Sequence, residues 1–233
     1  MTREGRGRGA TGGSGAATEP GAWLRDPLAP SPLAMLAGWI AEARAHPDIR
    51  NADAVALATV DAEGEPDVRM VLARGLDPLR GWITFYTDRG SVKGRALDAT
   101  GRASLVFHWD ALARQVRLGG RVIRAPDADS DAYFASRPRD SRIAAWTSEQ
   151  SRPVASREAL ERTFEETARR WGGVDGDEAI PRPEDWGGYV VQAERIELWV
   201  ERAGRLHDRA RWTRSPEAAR EGDDRWRVTR LQP

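Results

Sequence analysis

Apolar and polar residues alternate along many short segments of this chain, and this period of two constrains the fold more than any other feature. Side chains of a β-strand point alternately to opposite faces, so each such segment predicts a strand with one buried face. The segments are AVALATVD, PDVRMVLARGL, GWITFYT, RASLVFHW, RQVRLGGRVIRA, YVVQAERIELWVE, RLHDRARWTR and RWRVTRLQP. Many strands at short spacing with few crossover helices predict a mainly β protein, an antiparallel barrel with peripheral helices.

One turn and two helix starts are predicted from local signals. AEGE, between the first two predicted strands, is typical of a hairpin turn. DPLAPSPL predicts the start of a helix with Ser31 as N-cap and Pro32 at the first helical position. SVKGRALDA predicts a short helix that Ser91 caps.

A longer helical stretch and a tail complete the predicted organisation. Residues 127–171 are predicted to be helical, because they begin with an acidic first turn and end in the amphipathic stretch SREALERTFEETARRW. Residues 1–25 are rich in Gly, Ala, Arg and Thr and lack apolar periodicity, so we expect a disordered tail. The remaining residues, 26–233, are predicted to form one domain.

Composition excludes several classes of function. Lys plus Arg and Asp plus Glu both total 36, so no excess of charge favours nucleic acid or an anionic membrane as partner. The absence of cysteine excludes disulfides and thiolate sites, and the three histidines are too widely spaced for a metal-binding pair, so we expect no metal. The apolar runs fall far short of the ~20 residues that span a bilayer. Without an apolar leader at the N-terminus, we expect a cytoplasmic protein.

Two arginines in the predicted strand DVRMVLARG are the first candidates for an anion site. A strand places Arg69 on one face and Arg74 on the other. Because unpaired buried charge is costly, cations on a mostly apolar strand usually meet an anion. The alternative interpretation is that both arginines are exposed on an edge strand.

FYTDRGSVKGR contains the second candidate site. Tyr86 and Thr87 end a predicted strand, and Ser91 opens a helix that carries Lys93, the only lysine of the chain, in its first turn. A helix N-terminus with hydroxyl groups and a lysine is suited to a phosphate. A capped surface helix would show the same pattern.

RPRDS contributes a third group of donors. Arg137, Arg139 and Ser141 lie close in sequence to Tyr133, and their side chains can all donate hydrogen bonds to a phosphate. Solvated arginines at a helix junction are the alternative interpretation.

RLHDR, near the C-terminus, is the last polar motif. A strand places Arg205, His207 and Arg209 on one face and Asp208 on the other. The histidine is suited to polar contacts or proton handling, although a lone histidine on a strand is more often structural. Together the motifs predict two phosphate sites, which implies two phosphorylated ligands or one long ligand.

Seven motifs follow the order and spacing of one known family. They are RMVLARG, FYTDRGSVKG, RQVRLGGRV, YFASRPRDSRIAAWTSEQS, WGGY, RIELW, and RLHDR with the terminal RLQP. Through them the chain, from about Asp26 to Pro233, resembles the pyridoxamine 5′-phosphate oxidase family. The resemblance implies a split β-barrel and a homodimer with FMN at the subunit interface. It also implies oxidation of pyridoxine or pyridoxamine 5′-phosphate to pyridoxal 5′-phosphate, with a hydride passing from C4′ to flavin N5 and O₂ reduced to hydrogen peroxide.

The resemblance also implies roles for individual residues. The implied FMN contacts are Arg69, Met70, Val71, Leu72, Ala73, Arg74, Tyr86, Thr87, Lys93, Gln115, Gln150, Ser151, Trp199 and Arg209. The implied contacts to the substrate phosphate are Tyr133, Arg137 and Ser141, with Arg74. Arg205 and His207 would lie over the reacting carbon of the substrate as the catalytic pair.

The chain departs from the family pattern at three positions. Arg74 stands where the family usually has a lysine that contacts the substrate phosphate, and Ala73 stands for the preceding leucine. Val92 removes one cation from the implied flavin phosphate site. Two alternatives to the vitamer oxidase therefore stay open: a related FMN-dependent oxidase of another substrate, such as a secondary-metabolite intermediate, and a non-catalytic flavin or pyridoxal-phosphate binding protein.

Overall fold

Nine strands, all paired antiparallel, form one sheet in the part of the chain that the structure, a computed structural model, describes, residues 24–233. The strands are β1 (Ala54–Val60), β2 (Pro66–Leu72), β3 (Gly75–Asp77), β4 (Trp82–Asp88), β5 (Arg102–Trp109), β6 (Arg114–Arg124), β7 (Trp186–Val200), β8 (Asp208–Thr213) and β9 (Arg227–Arg230). The helices are α1 (Leu33–Ala45), α2 (Val92–Thr100), α3 (Asp127–Ser136), α4 (Arg139–Thr147), α5 (Arg157–Arg170) and α6 (Pro216–Glu221). The predicted antiparallel β architecture with peripheral helices is confirmed.

The long strand β7 changes partner along its length. The sheet order is β2-β1-β5-β6-β7-β4-β3, and β8 and β9 extend from a different part of β7. The first half of β7 pairs with β4, the second half pairs with β8, and β6 runs along the opposite edge. A β-bulge between Gly119 and Gly120 bends the sheet near this change. Gly120 is required there, because a Cβ would lie 2.0 Å from the carbonyl oxygen of Gln192.

Two apolar clusters position the rest of the molecule. The main core lies between the sheet and α1, whose Leu36 and Ile40 are buried against strand residues such as Leu57 and Phe85. A second cluster joins α3, α4 and α5 to Trp186 at the start of β7. The helices are thereby held over the ends of β4 and β7.

Most element predictions are confirmed. Ser91 caps α2 by accepting a hydrogen bond from the backbone N–H of Gly94 at 3.2 Å, and the predicted hairpin turn joins β1 to β2. The stretch 127–171 is helical, but it divides into three helices that are separated at Pro138 and over residues 148–156. At the first helix the prediction is one residue early, since Pro32 is the N-cap and α1 begins at Leu33.

The prediction that Arg205 and His207 lie on a strand is wrong. A short 3-10 turn covers Ala203–Arg205, and β8 begins only at Asp208. Gly204 and Arg205 both have left-handed backbone conformations, with φ of 66° and 61°. These values are incompatible with an extended strand, so the alternation in RLHDR does not correspond to a face of β8.

The predicted tail lies outside the described residues up to position 23. Leu24, inside the predicted tail, is buried, and its carbonyl accepts a hydrogen bond from Arg230 at 2.7 Å. The packed part of the chain thus includes Leu24. Among the helices described here, none is both long and apolar enough to cross a membrane.

Candidate active site

One cavity of about 610 Å³ brings together residues from each of the first three predicted groups. It lies between β2, the end of β4, the start of α2, the junction of α3 with α4, and the start of β7. The predicted residues that line it are Met70, Val71, Leu72, Arg74, Tyr86, Thr87, Lys93, Tyr133, Arg137, Ser141 and Gln150. Residues far apart in sequence therefore form a single site.

Lys93 forms one end of this cavity. The Ser91 cap starts α2 so that Lys93 lies in its first turn, where the side chain is buried. Lys93 Nζ donates to Gln150 Oε1 at 2.8 Å and to Thr87 Oγ1 at 3.3 Å. The Thr87 hydroxyl also donates to Gln150 Oε1, at 2.8 Å. The loop after α4 is thereby tied to the end of β4.

The charge of Lys93 is incompletely compensated. Burial lowers the pKa of Lys93, and the nearby cation Arg69 lowers it further, while the carboxylates of Asp88 and Asp67 act in the opposite direction. The Arg69 side chain itself points to β1, where Nη1 donates to Thr59 Oγ1 at 2.8 Å, and it pairs with Asp67. Within residues 24–233, no ion pair of Lys93 is found. A buried ammonium with only neutral acceptors is suited to bind an anion.

Arg137 forms the second cationic group. Its Nη1 is buried without a hydrogen-bond partner. Burial lowers the pKa of Arg137, and repulsion from Arg74 acts in the same direction, while Tyr133 and Asp140 oppose it. Arg137 and Arg74 thus provide two cations, and Arg137 provides a buried donor without an acceptor. This combination is suited to a second anion.

Arg139 does not belong to this group, although its motif predicted it. Its guanidinium donates to the backbone carbonyls of Gly173 at 3.0 Å and Glu178 at 2.6 Å, and also to that of Trp171. These bonds fix the loop after α5 to the first turn of α4. Arg139 therefore supports the helix that carries Ser141 and has a structural role.

Aromatic rings form one wall of the cavity. Tyr86 stacks on Tyr133 with centroids 4.1 Å apart, and on Trp186 with centroids 5.5 Å apart. Gly188 makes room for this arrangement, because a Cβ there would lie 2.9 Å from the Tyr86 ring. Trp186 was absent from the predicted site residues. The signal for it was the pair of glycines that follows the tryptophan in WGGY.

A second cluster lies on β6, β7 and β8. The pairing register places Gln115 opposite Trp199 and Trp199 opposite Arg209, so three predicted residues form one row across the sheet. The His207 ring packs on Trp199 with centroids 4.6 Å apart. The structure therefore joins these four residues, although His207 precedes the strand. Arg205 lies exposed on the adjacent turn.

The two clusters lie on different parts of the sheet. Trp186 and Trp199 stand near opposite ends of β7, a path of roughly 40 Å along the strand. Gln115 lies three strands from Val71 of the cavity. Of the other predicted residues, Ala73 is buried in the main core and Ser151 is exposed beside Gln150. The predicted residues that do not line the cavity are Arg69, Ala73, Gln115, Ser151, Trp199, Arg205, His207 and Arg209.

Comparison with known proteins identifies the family. A family model described as pyridoxamine 5′-phosphate oxidase matches residues 41–170, and one described as the pyridoxine 5′-phosphate oxidase C-terminal dimerisation region matches residues 186–233. The chain belongs to the pyridoxamine 5′-phosphate oxidase family. A pyridoxine/pyridoxamine 5′-phosphate oxidase of Anaeromyxobacter dehalogenans is 48% identical over 205 residues, covering 88% of this chain and 96% of the relative. One of Mesorhizobium japonicum is 45% identical over 205 residues, covering 88% and 94%.

Solved structures support the same assignment. PhzG from Burkholderia lata, in complex with tetrahydrophenazine-1-carboxylic acid, superposes with a TM-score of 0.76 at 30% identity, covering 89% of this chain and 95% of PhzG. A pyridoxamine 5′-phosphate oxidase-related, FMN-binding protein from Nostoc punctiforme shares the fold, with a TM-score of 0.65 at 16% identity over 88% and 99% of the two chains. The split-barrel fold implied by the family resemblance is confirmed.

Glu197 supports the second cluster in this member of the pyridoxamine 5′-phosphate oxidase family. Its buried carboxylate accepts from Arg209 at 2.6 Å and from Arg211 at 3.3 Å, and lies 3.7 Å from Arg117. Arg117 and Arg211 flank Glu197 directly on the neighbouring strands. One carboxylate thus holds three guanidinium groups on one face of the sheet.

We expect Glu197→Gln to lower the free energy of unfolding by roughly 3 kcal/mol, because it leaves three adjacent arginines without their shared counter-ion. Chemical denaturation measures this. Glu161→Gln is the matched control, since it breaks an exposed pair with Arg157 on α5 and should cost less than about 1 kcal/mol. If both variants lost the same small free energy of unfolding, the three arginines would be able to turn to solvent.

Proposed function

We propose that this protein is an FMN-dependent oxidase that forms pyridoxal 5′-phosphate from pyridoxine 5′-phosphate or pyridoxamine 5′-phosphate. One observation carries the proposal. The cavity has a buried lysine at one end and, at the other, a half-buried arginine whose Nη1 is buried, and neither forms an ion pair within the described chain. Two separate anion-binding groups in one cavity fit the phosphate of a flavin mononucleotide and the phosphate of a substrate.

The Lys93 end fits the cofactor phosphate. Lys93 supplies a desolvated cation, Arg69 lies close enough to add to its field, and Thr87 and Gln150 supply polar groups beside it. FMN, when bound, supplies the hydride acceptor and passes electrons on to O₂. The protein's task is to orient donor and acceptor and to keep water out.

The Arg137 end fits the substrate phosphate. Arg137 and Arg74 provide the charge, and Ser141 and Tyr133 line the cavity beside them. The stacked rings of Tyr86, Tyr133 and Trp186 give this end an apolar wall. A planar pyridine ring bound by its phosphate would be shielded from water by that wall.

A homodimer would complete the site. Gln115, Trp199 and Arg209 form their row on a different part of the sheet from the cavity wall, and 13 residues of β7 separate Trp199 from Trp186. Most of the second cluster belongs to the segment that matches a dimerisation region. We infer that each cavity receives the second cluster from the partner chain across a two-fold interface.

His207 would act as a hydrogen-bond donor in such a site. Its Nδ1 accepts the backbone N–H of Arg202 at 3.2 Å. In a neutral imidazole the proton then resides on Nε2, which leaves that atom as the donor. With Arg205 on the adjacent turn, the pair can hold polar atoms of the substrate while the hydride leaves C4′.

A second candidate function is oxidation of a different substrate on the same fold. The PhzG structure, at 30% identity, holds tetrahydrophenazine-1-carboxylic acid, and this observation favours it. The donors around Arg137 oppose it, since a substrate without phosphate would leave them unpaired. A non-catalytic flavin or pyridoxal-phosphate binder is the third candidate.

Oxygen uptake distinguishes these functions. Purified, FMN-loaded protein is mixed with pyridoxine 5′-phosphate or, as control, with pyridoxine. Rapid uptake with the phosphorylated compound alone is the expected result. A yellow dimer that consumes no oxygen with either compound would contradict the vitamer oxidase and favour another substrate or a carrier.

Arg74→Lys tests the departure from the family pattern. Lysine keeps the cation that lines the cavity, so we expect kcat/KM for pyridoxine 5′-phosphate to stay within about tenfold, or about 1.4 kcal/mol. Arg74→Met, which removes the charge, should lower it further. Steady-state oxygen uptake measures both variants, and a gain of several orders of magnitude in Arg74→Lys would show that the natural substrate is not the vitamer.

A further inference from the structure

Trp186 is held firmly at the start of β7. It is 8% exposed and lies opposite Asp88 of β4 in the pairing register. Its carbonyl accepts from Arg182 Nη1 at 2.6 Å, and the Phe134 ring meets the indole edge-on with centroids 5.1 Å apart. The indole is therefore fixed from behind, while its remaining surface lines the cavity.

The same indole contacts the aromatic wall and the cation of the cavity. Tyr86, at the end of β4, lies nearly parallel to it at 8°. Arg137, on the substrate side, places its guanidinium carbon 4.9 Å from the centroid of the indole ring. A displacement of Trp186 would therefore disturb the position of the guanidinium relative to the rest of the cavity.

The Trp186 ring partly compensates the charge of Arg137. Burial disfavours its charged form and lowers the pKa of Arg137, and Nη1 has no acceptor. The structure shows no ion pair of Arg137 in residues 24–233, but it does show two aromatic rings beneath the cation, Trp186 at 4.9 Å and Phe134 at 5.7 Å. Tryptophan is the strongest aromatic partner of a desolvated cation. The ring holds the guanidinium in place before an anion arrives, which lowers the entropy lost on binding.

We propose that Trp186 is a positioning residue that holds Arg137 ready for the substrate phosphate and so contributes to the selection of phosphorylated over unphosphorylated ligands. The inference rests on the proposed function in taking the Arg137 end as the substrate phosphate site. It adds a residue whose effect is confined to recognition of the phosphate.

Trp186→Leu and Trp186→Phe test this role in the FMN-loaded protein. For Trp186→Leu we expect KM for pyridoxine 5′-phosphate to rise about tenfold to thirtyfold while kcat changes less than about threefold, since a desolvated cation–aromatic contact is lost. Trp186→Phe should recover most of the loss, because phenylalanine keeps an aromatic face. Equal losses of kcat/KM for pyridoxine 5′-phosphate and pyridoxine in Trp186→Leu would overturn the proposal. A fall in kcat with unchanged KM would also overturn it.

Trp171→Leu is the matched control. Trp171 belongs to the same apolar cluster and packs on Trp146 with centroids 5.7 Å apart, but it does not line the cavity. Its loss should lower stability without changing the preference for the phosphorylated compound. An equal loss of preference in Trp171→Leu would overturn the specific role of Trp186.

Calorimetric titration with pyridoxal 5′-phosphate and with inorganic phosphate separates this proposal from the proposed function. If the unchanged protein consumes no oxygen but binds both probes, and Trp186→Leu binds both about tenfold more weakly, the vitamer oxidase fails and the role of Trp186 stands. If oxygen uptake is normal and neither titration changes in Trp186→Leu, the oxidase stands and the role of Trp186 fails.

Discussion

Replacing Lys93 by methionine is expected to raise the Kd for FMN about a hundredfold to a thousandfold without lowering the stability of the apoprotein. The Lys93 ammonium is buried, its acceptors are the neutral groups of Gln150, Thr87 and Ser91, and burial lowers the pKa of Lys93. Such a cation is unfavourable until an anion binds beside it. Methionine removes the hydrogen bonds of Lys93 but also the cost of its buried charge, so the two effects on the empty protein offset each other, while the cofactor phosphate loses a buried cation.

Quenching of flavin fluorescence measures the Kd, and thermal denaturation measures the stability of the apoprotein. Arg95→Met is the matched control, because Arg95 lies on the same helix, is exposed, and donates to the carbonyl of Gly90 outside the cavity. We expect it to change neither quantity appreciably. If Lys93→Met destabilised the apoprotein as strongly as it weakened FMN binding, Lys93 would be a structural residue and the cofactor assignment of this end would be wrong.

The strands that bury one face only could be predicted from their alternating pattern. In β1, β4 and β5 buried residues alternate with more exposed ones, so the period of two in the sequence matches the period of burial. In β7 nearly every residue is buried, so its burial does not follow the period of two from which this strand was predicted. The change of partner from β4 to β8 along β7 depends on contacts between distant segments and left no local signal.

The candidate site could be predicted where its residues lie close together in sequence. The Ser91 cap and Lys93 lie within one helical turn, so spacing alone indicated an anion site. The contact of Gln150 with Thr87 and Lys93 spans about sixty residues and was implied only by the family resemblance. Trp186 was missed because only the two glycines that follow it distinguish it in sequence from an ordinary core tryptophan, and the chain has 10 tryptophans.

The RLHDR motif shows how an alternating pattern can mislead. Gly204 and Arg205 turn the backbone through the left-handed region, and Leu206 is 74% exposed. Alternation of apolar and polar residues indicates a strand only where the backbone is extended. In RLHDR the alternation begins in the turn before β8, where the backbone is not extended. The motif still brings His207 to Trp199, because the turn folds back on the end of β7.

Two nearly inactive variants are expected to restore activity when they share a dimer. Arg137→Ala removes the phosphate donor of the cavity, and Arg205→Ala removes a residue of the second cluster, so each homodimer should lose at least about a hundredfold in kcat/KM. In the proposed homodimer each site takes the cavity from one chain and the second cluster from the other. A dimer of one variant chain with the other then has one site with both changes and one site with neither.

Co-expression with two affinity tags isolates this mixed dimer, and oxygen uptake with pyridoxine 5′-phosphate should reach about half the activity of the unchanged dimer. The decisive control pairs Arg137→Ala with Lys93→Met, since both changes lie in the same cavity. Every site of that mixed dimer carries one change, so it should stay as inactive as the parents. If the first pair also stayed inactive, Arg205 would act on the cavity of its own chain, and the proposed exchange of clusters between the two chains would be wrong.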